Sequence, residues 1–217
     1  MGHFDVNQDR LDHNALTHSY AEDLTSTPRA NQSLTDLDLS HNNLGDSGLK
    51  ILSAALSNPD CKIQKLKLVN NNLRDYWAVD LVPALNTNLS LTDLDLSWNK
   101  LGDSTVQILP SALRNQHCKI QKLDLGHNAF TDSCAGDLAS SLSTNLSLTD
   151  LYLGSNSFTD QSVHALRNLI LNCTSLERIQ LQENQFSPDV IKQLEMLEGC
   201  RSGLSVGAAG CANIYWT

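Results

Sequence analysis

The chain has 217 residues, 24 acidic and 15 basic side chains, and a formal net charge of −9. The acidic balance disfavours a nucleic-acid backbone as partner and favours a basic protein surface, mainly through the association rate. No stretch is long and apolar enough to span a membrane, and the N-terminus carries Asp5, Asp9 and Asp12 without an apolar run, so no signal peptide is predicted. We therefore expect a cytoplasmic protein without membrane contact.

Residues 1–33 are predicted to form a degenerate N-terminal repeat. Residues 11–24 share leucine, asparagine and helix-leucine positions with residues 125–138. Asp9 stands where a core leucine belongs and Pro28 where the second helix leucine belongs, so poor packing is expected here. No amphipathic capping segment precedes this copy, although an end repeat needs a polar outer face to stay soluble. We therefore expect the chain to be a piece of a longer repeat array.

Residues 34–200 contain six copies of the string Leu-x-x-Leu-x-Leu-x-x-Asn-x-Leu, with conservative replacements. Successive openings are separated by 29, 28, 29, 28 and 28 residues. The alternating Leu-x-Leu predicts a short strand with one face inward, and leucine or isoleucine residues four positions apart later in the first five copies predict a buried helix face. No linker interrupts the copies, so one elongated domain is expected. The openings are Leu34, Ile63, Leu91, Ile120, Leu148 and Leu176.

An asparagine stands eight residues after every opening. Its amide can donate to and accept from backbone groups that the turn after the strand would otherwise bury unpaired. Stacked copies are therefore predicted to form a structural asparagine ladder. The six residues are Asn42, Asn71, Asn99, Asn128, Asn156 and Asn184.

Helix starts are predicted twelve residues after five of the openings. An aspartate stands there, a residue suited to accept from the free N–H groups of a first helical turn. In the sixth copy Pro188 follows Ser187, which predicts a first-turn proline behind an N-cap. The aspartates are Asp46, Asp75, Asp103, Asp132 and Asp160.

The end of the chain loses this periodicity. Glu198 replaces the helix hydrophobe of earlier copies, and residues 201–217 are rich in Gly, Ala and Ser. We expect this segment to be an irregular tail that is disordered or loosely docked.

Strand positions that alternate with the core leucines are predicted to face solvent. In one column opposite charges alternate on neighbouring strands, which predicts a charge ladder: Asp36, Lys65, Asp93, Lys122, Asp150 and Arg178. Nearby, Trp98 and Tyr152 are large aromatics at exposed positions, and such residues are enriched at interface hot spots. They could also be incidental surface residues. The predicted protein-binding residues are Asp38, His41, Lys67, Asp95, Trp98, Asp124, His127 and Tyr152.

The sequence contains no recognised catalytic or cofactor-binding motif. Phosphate-binding, serine-hydrolase and zinc-protease motifs are absent, so no enzymatic activity, cofactor or metal is predicted. Four sequons would carry glycans in a secreted protein, but the missing signal peptide argues against them; they begin at Asn31, Asn88, Asn145 and Asn172. Four cysteines at repeat spacing are predicted to be small buried thiols: Cys61, Cys118, Cys134 and Cys173.

The copies alternate in two types. Leu34, Leu91 and Leu148 each begin Leu-Thr-Asp-Leu at a spacing of 57, and Ile63 and Ile120 each sit in Cys-Lys-Ile-Gln-Lys-Leu, also 57 apart. This alternation, with a full helix in each copy, resembles the ribonuclease-inhibitor class of leucine-rich repeats. The resemblance implies an α/β solenoid shaped as a horseshoe, with a parallel β-sheet on the concave face, α-helices on the convex face and about seven repeats of 28 to 29 residues.

The amino-acid sequence of residues 33–49 and 58–66 resembles the C-terminal repeats of the NOD-like receptors, especially those of the expanded receptor families of fish. This resemblance implies a non-enzymatic, ligand-sensing or autoinhibitory module of a cytosolic innate immune receptor. Its concave face would bind a protein partner, and an upstream nucleotide-binding domain of a longer receptor is a further candidate partner. Two alternatives stay open: an inhibitor of a basic ribonuclease, and a repeat-containing regulator of a small GTPase.

Overall fold

The computed structural model describes residues 8–14, 16–17, 34–74, 77–115 and 117–210. Their strands form one eight-stranded parallel sheet in which every strand pairs with its neighbours in the chain. The strands are β1 (Gln8–Arg10), β2 (Asp36–Asp38), β3 (Lys65–Lys67), β4 (Asp93–Asp95), β5 (Lys122–Asp124), β6 (Asp150–Tyr152), β7 (Arg178–Gln180) and β8 (Ser205–Gly207). The predicted leucine-rich repeat solenoid is confirmed.

Helices follow most strands and cover the face of the sheet that carries the core leucines. They are α1 (Gly45–Leu56), α2 (Trp77–Thr87), α3 (Leu109–Leu113), α4 (Asp132–Leu142), α5 (Val163–Asn172) and α6 (Pro188–Glu195), with 3-10 turns at Asp103–Gln107, Asp160–Ser162 and Met196–Cys200. The prediction of a full helix in every copy is wrong for the third copy, where a 3-10 turn precedes the five-residue α3. Pro110 lies in α3, and its missing N–H cannot close a helical bond to the preceding turn.

A continuous leucine core lies between the sheet and the helices. Leu37 aligns with Leu66 and Leu66 with Leu94 in the strand register, and each is at most 1% exposed. The four thiols predicted to be buried are buried, whereas Cys200 is exposed. In the described part of the chain, no helix combines the length and apolar character needed to cross a membrane.

The N-terminal repeat contributes the first strand of the sheet. Gln8 aligns with Asp36 and Arg10 with Asp38, so the parallel register extends one strand before the first full repeat. The predicted departure at Pro28 lies outside the described residues.

The predicted irregular tail is wrong for residues 201–210. Val206 of β8 aligns with Ile179 of β7, and Val206 and Ala208 are buried at the two core positions of an additional strand. The backbone N–H of Val206 donates to the Glu198 carboxylate at 2.7 Å, so the glutamate that broke the helix pattern holds the last strand. Residues 211–217 lie outside the described part of the chain.

Helix starts follow a different rule from the predicted one. Ser187 accepts from the N–H of Val190 as the N-cap of α6, with Pro188 behind it, as predicted. The aspartates that the structure describes do not cap their own helices: Asp132 accepts from the backbone N–H of Thr159 in the next repeat at 2.8 Å. The same inter-repeat bond joins Asp46 to Arg74, Asp103 to Thr131 and Asp160 to Ser187, while Asp75 lies outside the described residues.

Candidate protein-binding surface

A groove of about 750 Å³ runs along the solvent-facing side of the sheet, from Asp12 in the N-terminal repeat to Glu183 after β7. Because successive strand side chains point to opposite faces, the residues between the core leucines line it. All eight residues predicted for protein binding lie in this lining: Asp38, His41, Lys67, Asp95, Trp98, Asp124, His127 and Tyr152. The sequence reading did not select Asp12, His13, Gly126, Gly154 and Gln182, which line the groove as well.

The charge column on the strands forms the predicted ladder. Each base pairs with the aspartate of the preceding strand: Lys65 Nζ lies 3.3 Å from Asp36, Lys122 Nζ lies 3.7 Å from Asp93, and Arg178 contacts Asp150. The bases are about half exposed, whereas the aspartate side chains are 26%, 12% and 9% exposed. Ion pairs with one partner in solvent contribute roughly 0.2–1 kcal/mol each. The ladder therefore supports strand stacking and leaves the neighbouring column to form the groove.

That neighbouring column, named here the aspartate column, contains Asp38, Lys67, Asp95, Asp124, Tyr152 and Gln180. Each of its three aspartates accepts through Oδ1 from the backbone N–H two residues later, at 2.8 to 3.0 Å. These bonds close a turn where each strand ends, as Asp side chains commonly do. The carboxylates consequently hold fixed positions in the groove.

Asp95 is buried, in contrast to the exposed position predicted for it. Asp95 is only 5% exposed, and its Oδ1 also accepts a hydrogen bond from Ser97 Oγ at 2.7 Å. Burial raises the pKa of the Asp95 carboxyl, while the bonds from Ser97 and the charge of Lys67 lower it. Sequence alternation gave the correct face, but the closeness of side chains on adjacent strands determines how much of each one water reaches.

We expect Asp95→Asn to stabilise the protein at neutral pH. A raised carboxyl pKa means that the folded state binds the proton more tightly, so stability falls as pH rises from the ordinary value of 3.8 through the raised value. Asparagine keeps an oxygen that accepts from Ser97 and carries no charge to desolvate. Urea denaturation should give a higher midpoint for the variant at pH 7 and converging midpoints below about pH 4. A lower midpoint at pH 7 would contradict this account.

The residues just before the ladder asparagines, together with His13 before Asn14, form a second wall, the turn column. Every described member has a positive φ between 50° and 59°. Residues other than glycine adopt this left-handed backbone conformation at a cost of roughly 1–2 kcal/mol. Adjacent members interact: the rings of His13 and His41 stack at 4.2 Å, and Ser155 Oγ donates to Glu183 at 2.5 Å. The column consists of His13, His41, Asn70, Trp98, His127, Ser155 and Glu183.

Trp98 and His127 form the central part of this wall. Their rings stack with centroids 3.6 Å apart and planes 16° apart, and Trp98 remains 56% exposed. Burial lowers the pKa of His127 and the charge of Glu183 raises it, leaving the net direction downward and the ring neutral at pH 7. Opposite them, Tyr152 is half-buried, and its phenol oxygen is hydrogen-bonded by Arg178.

Behind the groove, the asparagines join consecutive repeats. Asn99 Oδ1 accepts from the N–H groups of Asn71 and Leu73, and its Nδ2 donates to carbonyl oxygens of Leu68 and Leu96. The equivalent inter-repeat bonds recur along the six ladder residues: Asn42, Asn71, Asn99, Asn128, Asn156 and Asn184.

Two of the sequon asparagines form a second set of inter-repeat bonds. Asn88 and Asn145 are 6% and 3% exposed, and their Nδ2 groups donate to Leu56 and Leu113 carbonyls at 2.8 and 2.7 Å. Their amide nitrogens are therefore committed to the fold. The sequence spacing of 57 residues between them was the available signal for this role.

Comparison with known proteins agrees with this architecture. A family model described as Leucine Rich repeat matches residues 30–53, 87–106 and 116–139. The NACHT, LRR and PYD domains-containing protein 12 of Mus musculus is 44% identical over 137 residues, covering 63% of this chain and 13% of that protein. The ribonuclease inhibitor of Sus scrofa is 38% identical over 142 residues, covering 65% of this chain and 31% of the inhibitor.

Among solved structures, an internalin from Listeria monocytogenes aligns with a TM-score of 0.49 and 22% identity, covering 85% of this chain and 50% of that one. The chain spans only 13% of the length of the related Mus musculus protein. The repeats and the parallel sheet of this chain make it a leucine-rich repeat solenoid, and its sequence is similar to those of the NACHT, LRR and PYD domains-containing proteins and of ribonuclease inhibitor.

Proposed function

We propose that the groove on the sheet is the protein-binding surface of a non-catalytic module in a cytosolic, NOD-like innate immune receptor. The exposed Trp98 carries this proposal. It is a large aromatic, held rigidly by its stack on His127, in the middle of a groove with polar walls. Rigid aromatics surrounded by polar groups are the residues that most often dominate binding energy at protein interfaces.

Charge points to a basic partner surface. Among the described residues that line the groove, five carry carboxylates and one is a lysine: Asp12, Asp38, Asp95, Asp124, Glu183 and Lys67. Such a surface attracts positive charge and raises the association rate of a basic protein. In a longer receptor, an upstream nucleotide-binding domain that presents a basic face is a second candidate for the same groove. A cytoplasmic location is part of this proposal.

Capture from cytosol tests the proposal. The purified chain would be compared with Trp98→Ala/Tyr152→Ala and with Leu146→Ala/Met196→Ala, whose original side chains are 83% and 68% exposed but do not line the groove. We expect the first variant to retain a tenth or less of the bound protein, since two lost hot spots are worth about 2–4 kcal/mol, and the second variant to match wild type. Circular dichroism must show all three equally folded. Equal capture by both double variants would exclude the groove as the protein-binding surface.

A ribonuclease-inhibitor role is the second candidate, favoured by 38% identity to the pig inhibitor together with the acidic groove. A pancreatic-type ribonuclease would then be inhibited by the wild-type chain and not by the Trp98→Ala/Tyr152→Ala variant. Unchanged ribonuclease activity at saturating chain would remove this candidate and leave the receptor proposal standing.

A further inference from the structure

We propose that an exposed edge of the solenoid, outside the groove, docks an acidic amphipathic helix of a partner protein. The edge is formed by the loops that lead into β3, β4, β5 and β6, and it is named here the lysine–leucine edge: Lys62, Leu89, Lys119 and Leu146. None of these four residues lines the groove. The edge is therefore a second surface, independent of the proposed function.

Two leucines of the edge are exposed at equivalent turns. Leu89 is 64% exposed and Leu146 is 83% exposed, and each stands two residues before a repeat opening. Gln32 holds the same place in the first full copy, so the repeat does not require an apolar residue there. Exposed apolar side chains that recur together mark interaction sites more often than isolated ones do.

Both turns are held firmly by hydrogen bonds. Asn88 Oδ1 accepts from the two backbone N–H groups that follow Leu89, at 2.9 and 2.7 Å, which closes a turn around the leucine. Asn88 Nδ2 donates to a carbonyl oxygen of the preceding repeat at 2.8 Å. Asn145 forms the same three bonds around Leu146. A ligand therefore meets leucines whose backbone is already ordered, which lowers the entropy lost on binding.

The two lysines are available to an anion. Lys62 and Lys119 are exposed, and neither has an ion pair or hydrogen bond within the part of the chain that the structure describes. They differ in this from Lys65 and Lys122 of the charge ladder, which pair with aspartates of the preceding strands. An incoming carboxylate meets no bound competitor at either side chain of the edge.

Hydrogen bonds place each lysine loop beside a leucine turn. The Oγ of Ser90 donates to the Cys61 carbonyl at 2.8 Å, which joins the residue after one leucine to the residue before one lysine. The equivalent bond from Ser147 to Cys118 is 2.7 Å long. Neighbouring strands are about 4.8 Å apart, so lysine and leucine alternate along the edge at about that spacing.

This spacing fits one face of a helix laid along the edge. The two leucines are two strands apart, which corresponds to about 10 Å, and so are the two lysines. A helix repeats its face every seven residues, or about 10.5 Å, and places an intervening side chain three or four residues on. Apolar residues one heptad apart would contact the leucines, and glutamates between them would meet the lysines.

A contact of this size is weak by itself. We expect a Kd of about 0.1 mM for an isolated helix. Washing removes such a ligand, so capture from cytosol reports on the groove alone. The edge acts on a helix that another contact holds nearby, where the effective concentration reaches the millimolar range.

Titration with a designed helix tests the edge on the intact chain. The probe is a capped, alanine-rich peptide of three heptads, with leucine first and glutamate fourth in each heptad. Two matched peptides carry alanine in place of leucine, or glutamine in place of glutamate. NMR would follow the methyl signals of Leu89 and Leu146, assigned by their loss in alanine variants. We expect the probe to bind about tenfold more tightly than the alanine peptide and about threefold more tightly than the glutamine peptide.

Variants of the chain locate the site. Leu89→Ala/Leu146→Ala should weaken binding of the probe about tenfold, and Lys62→Gln/Lys119→Gln about threefold. Asp60→Asn should strengthen binding about twofold, because it removes an exposed carboxylate two residues before a lysine of the edge.

Leu171→Ala/Lys192→Gln is the matched control. Both side chains are exposed on helices, α5 and α6, and this variant should bind the probe like wild type. Dispersed NMR spectra must show every variant folded. Equal binding of the three peptides would overturn the site, as would equal affinities of the control and Leu89→Ala/Leu146→Ala.

Two other occupants give distinct results. Shifts of the leucine methyl signals with phosphatidylserine vesicles but not with the probe would assign the edge to a membrane surface. Shifts that appear when the chain alone is concentrated would assign it to a second copy. Either result contradicts the helix, and neither affects the groove, whose test depends on Trp98 and Tyr152.

Discussion

Asn99→Ala is expected to lower the free energy of unfolding by about 4 kcal/mol. Asn99 is 6% exposed, accepts from two backbone N–H groups and donates to three carbonyl oxygens. Alanine leaves these buried groups unpaired at the junction of neighbouring repeats, where water cannot replace the amide. Urea denaturation followed by circular dichroism measures the change.

Asn168→Ala is the matched control for this prediction. Asn168 is exposed on α5, and alanine has the higher helix propensity, so we expect a change within about 0.5 kcal/mol. A loss below about 1 kcal/mol for Asn99→Ala would mean that the backbone groups find other partners and that the ladder is not a principal source of stability.

The repeat period alone was enough to predict the sheet. Each core leucine aligns with its counterpart one repeat later, as Leu94 does with Leu123 and Leu151 does with Ile179. Spacing identifies these columns because a parallel solenoid places the same offset of every copy in the same place. The eight predicted surface residues therefore fall on one groove, although their role in binding remains a proposal.

Hydrogen bonds between repeats were harder to predict from the sequence. An aspartate twelve residues after the opening fits a local helix cap, yet Asp132 accepts from Thr159 in the next repeat. Thr131, one residue earlier, caps α4 instead. Local propensity cannot distinguish these partners, because both are backbone N–H groups and only the stacked structure determines which one lies nearer.

The additional strand at the C-terminus was missed for a compositional reason. Val206 and Ala208 occupy core positions, but small residues and a glycine-rich context conceal the leucine pattern. The turn column was equally hidden, since left-handed backbone occurs at Trp98 and Glu183 as well as at Asn70. Only asparagine among these three is a residue type that commonly adopts that conformation.

Phe158→Ala is expected to lower the free energy of unfolding by about 3–5 kcal/mol, because it opens a cavity in the core. Phe158 is fully buried, and it occupies the position ten residues after a repeat opening. Three other copies hold leucine there, namely Leu44, Leu73 and Leu101. Phe158→Leu is therefore the matched control and should cost about 1 kcal/mol, since it retains most of the apolar volume in a position known to fit leucine.

The slope of the urea transition should separate the two variants as well. The backbone N–H of Phe158 donates to Asn184 Oδ1 at 3.1 Å, and its carbonyl accepts from the N–H of Gln185 at 2.8 Å, so this residue joins two repeats. In a solenoid, coupling between neighbouring repeats makes unfolding cooperative. A cavity at this junction should let the C-terminal repeats unfold first, which broadens the transition and lowers the m-value for alanine but not for leucine. Equal slopes with equal losses of stability in both variants would show that the aromatic ring, rather than the filled volume, couples these repeats.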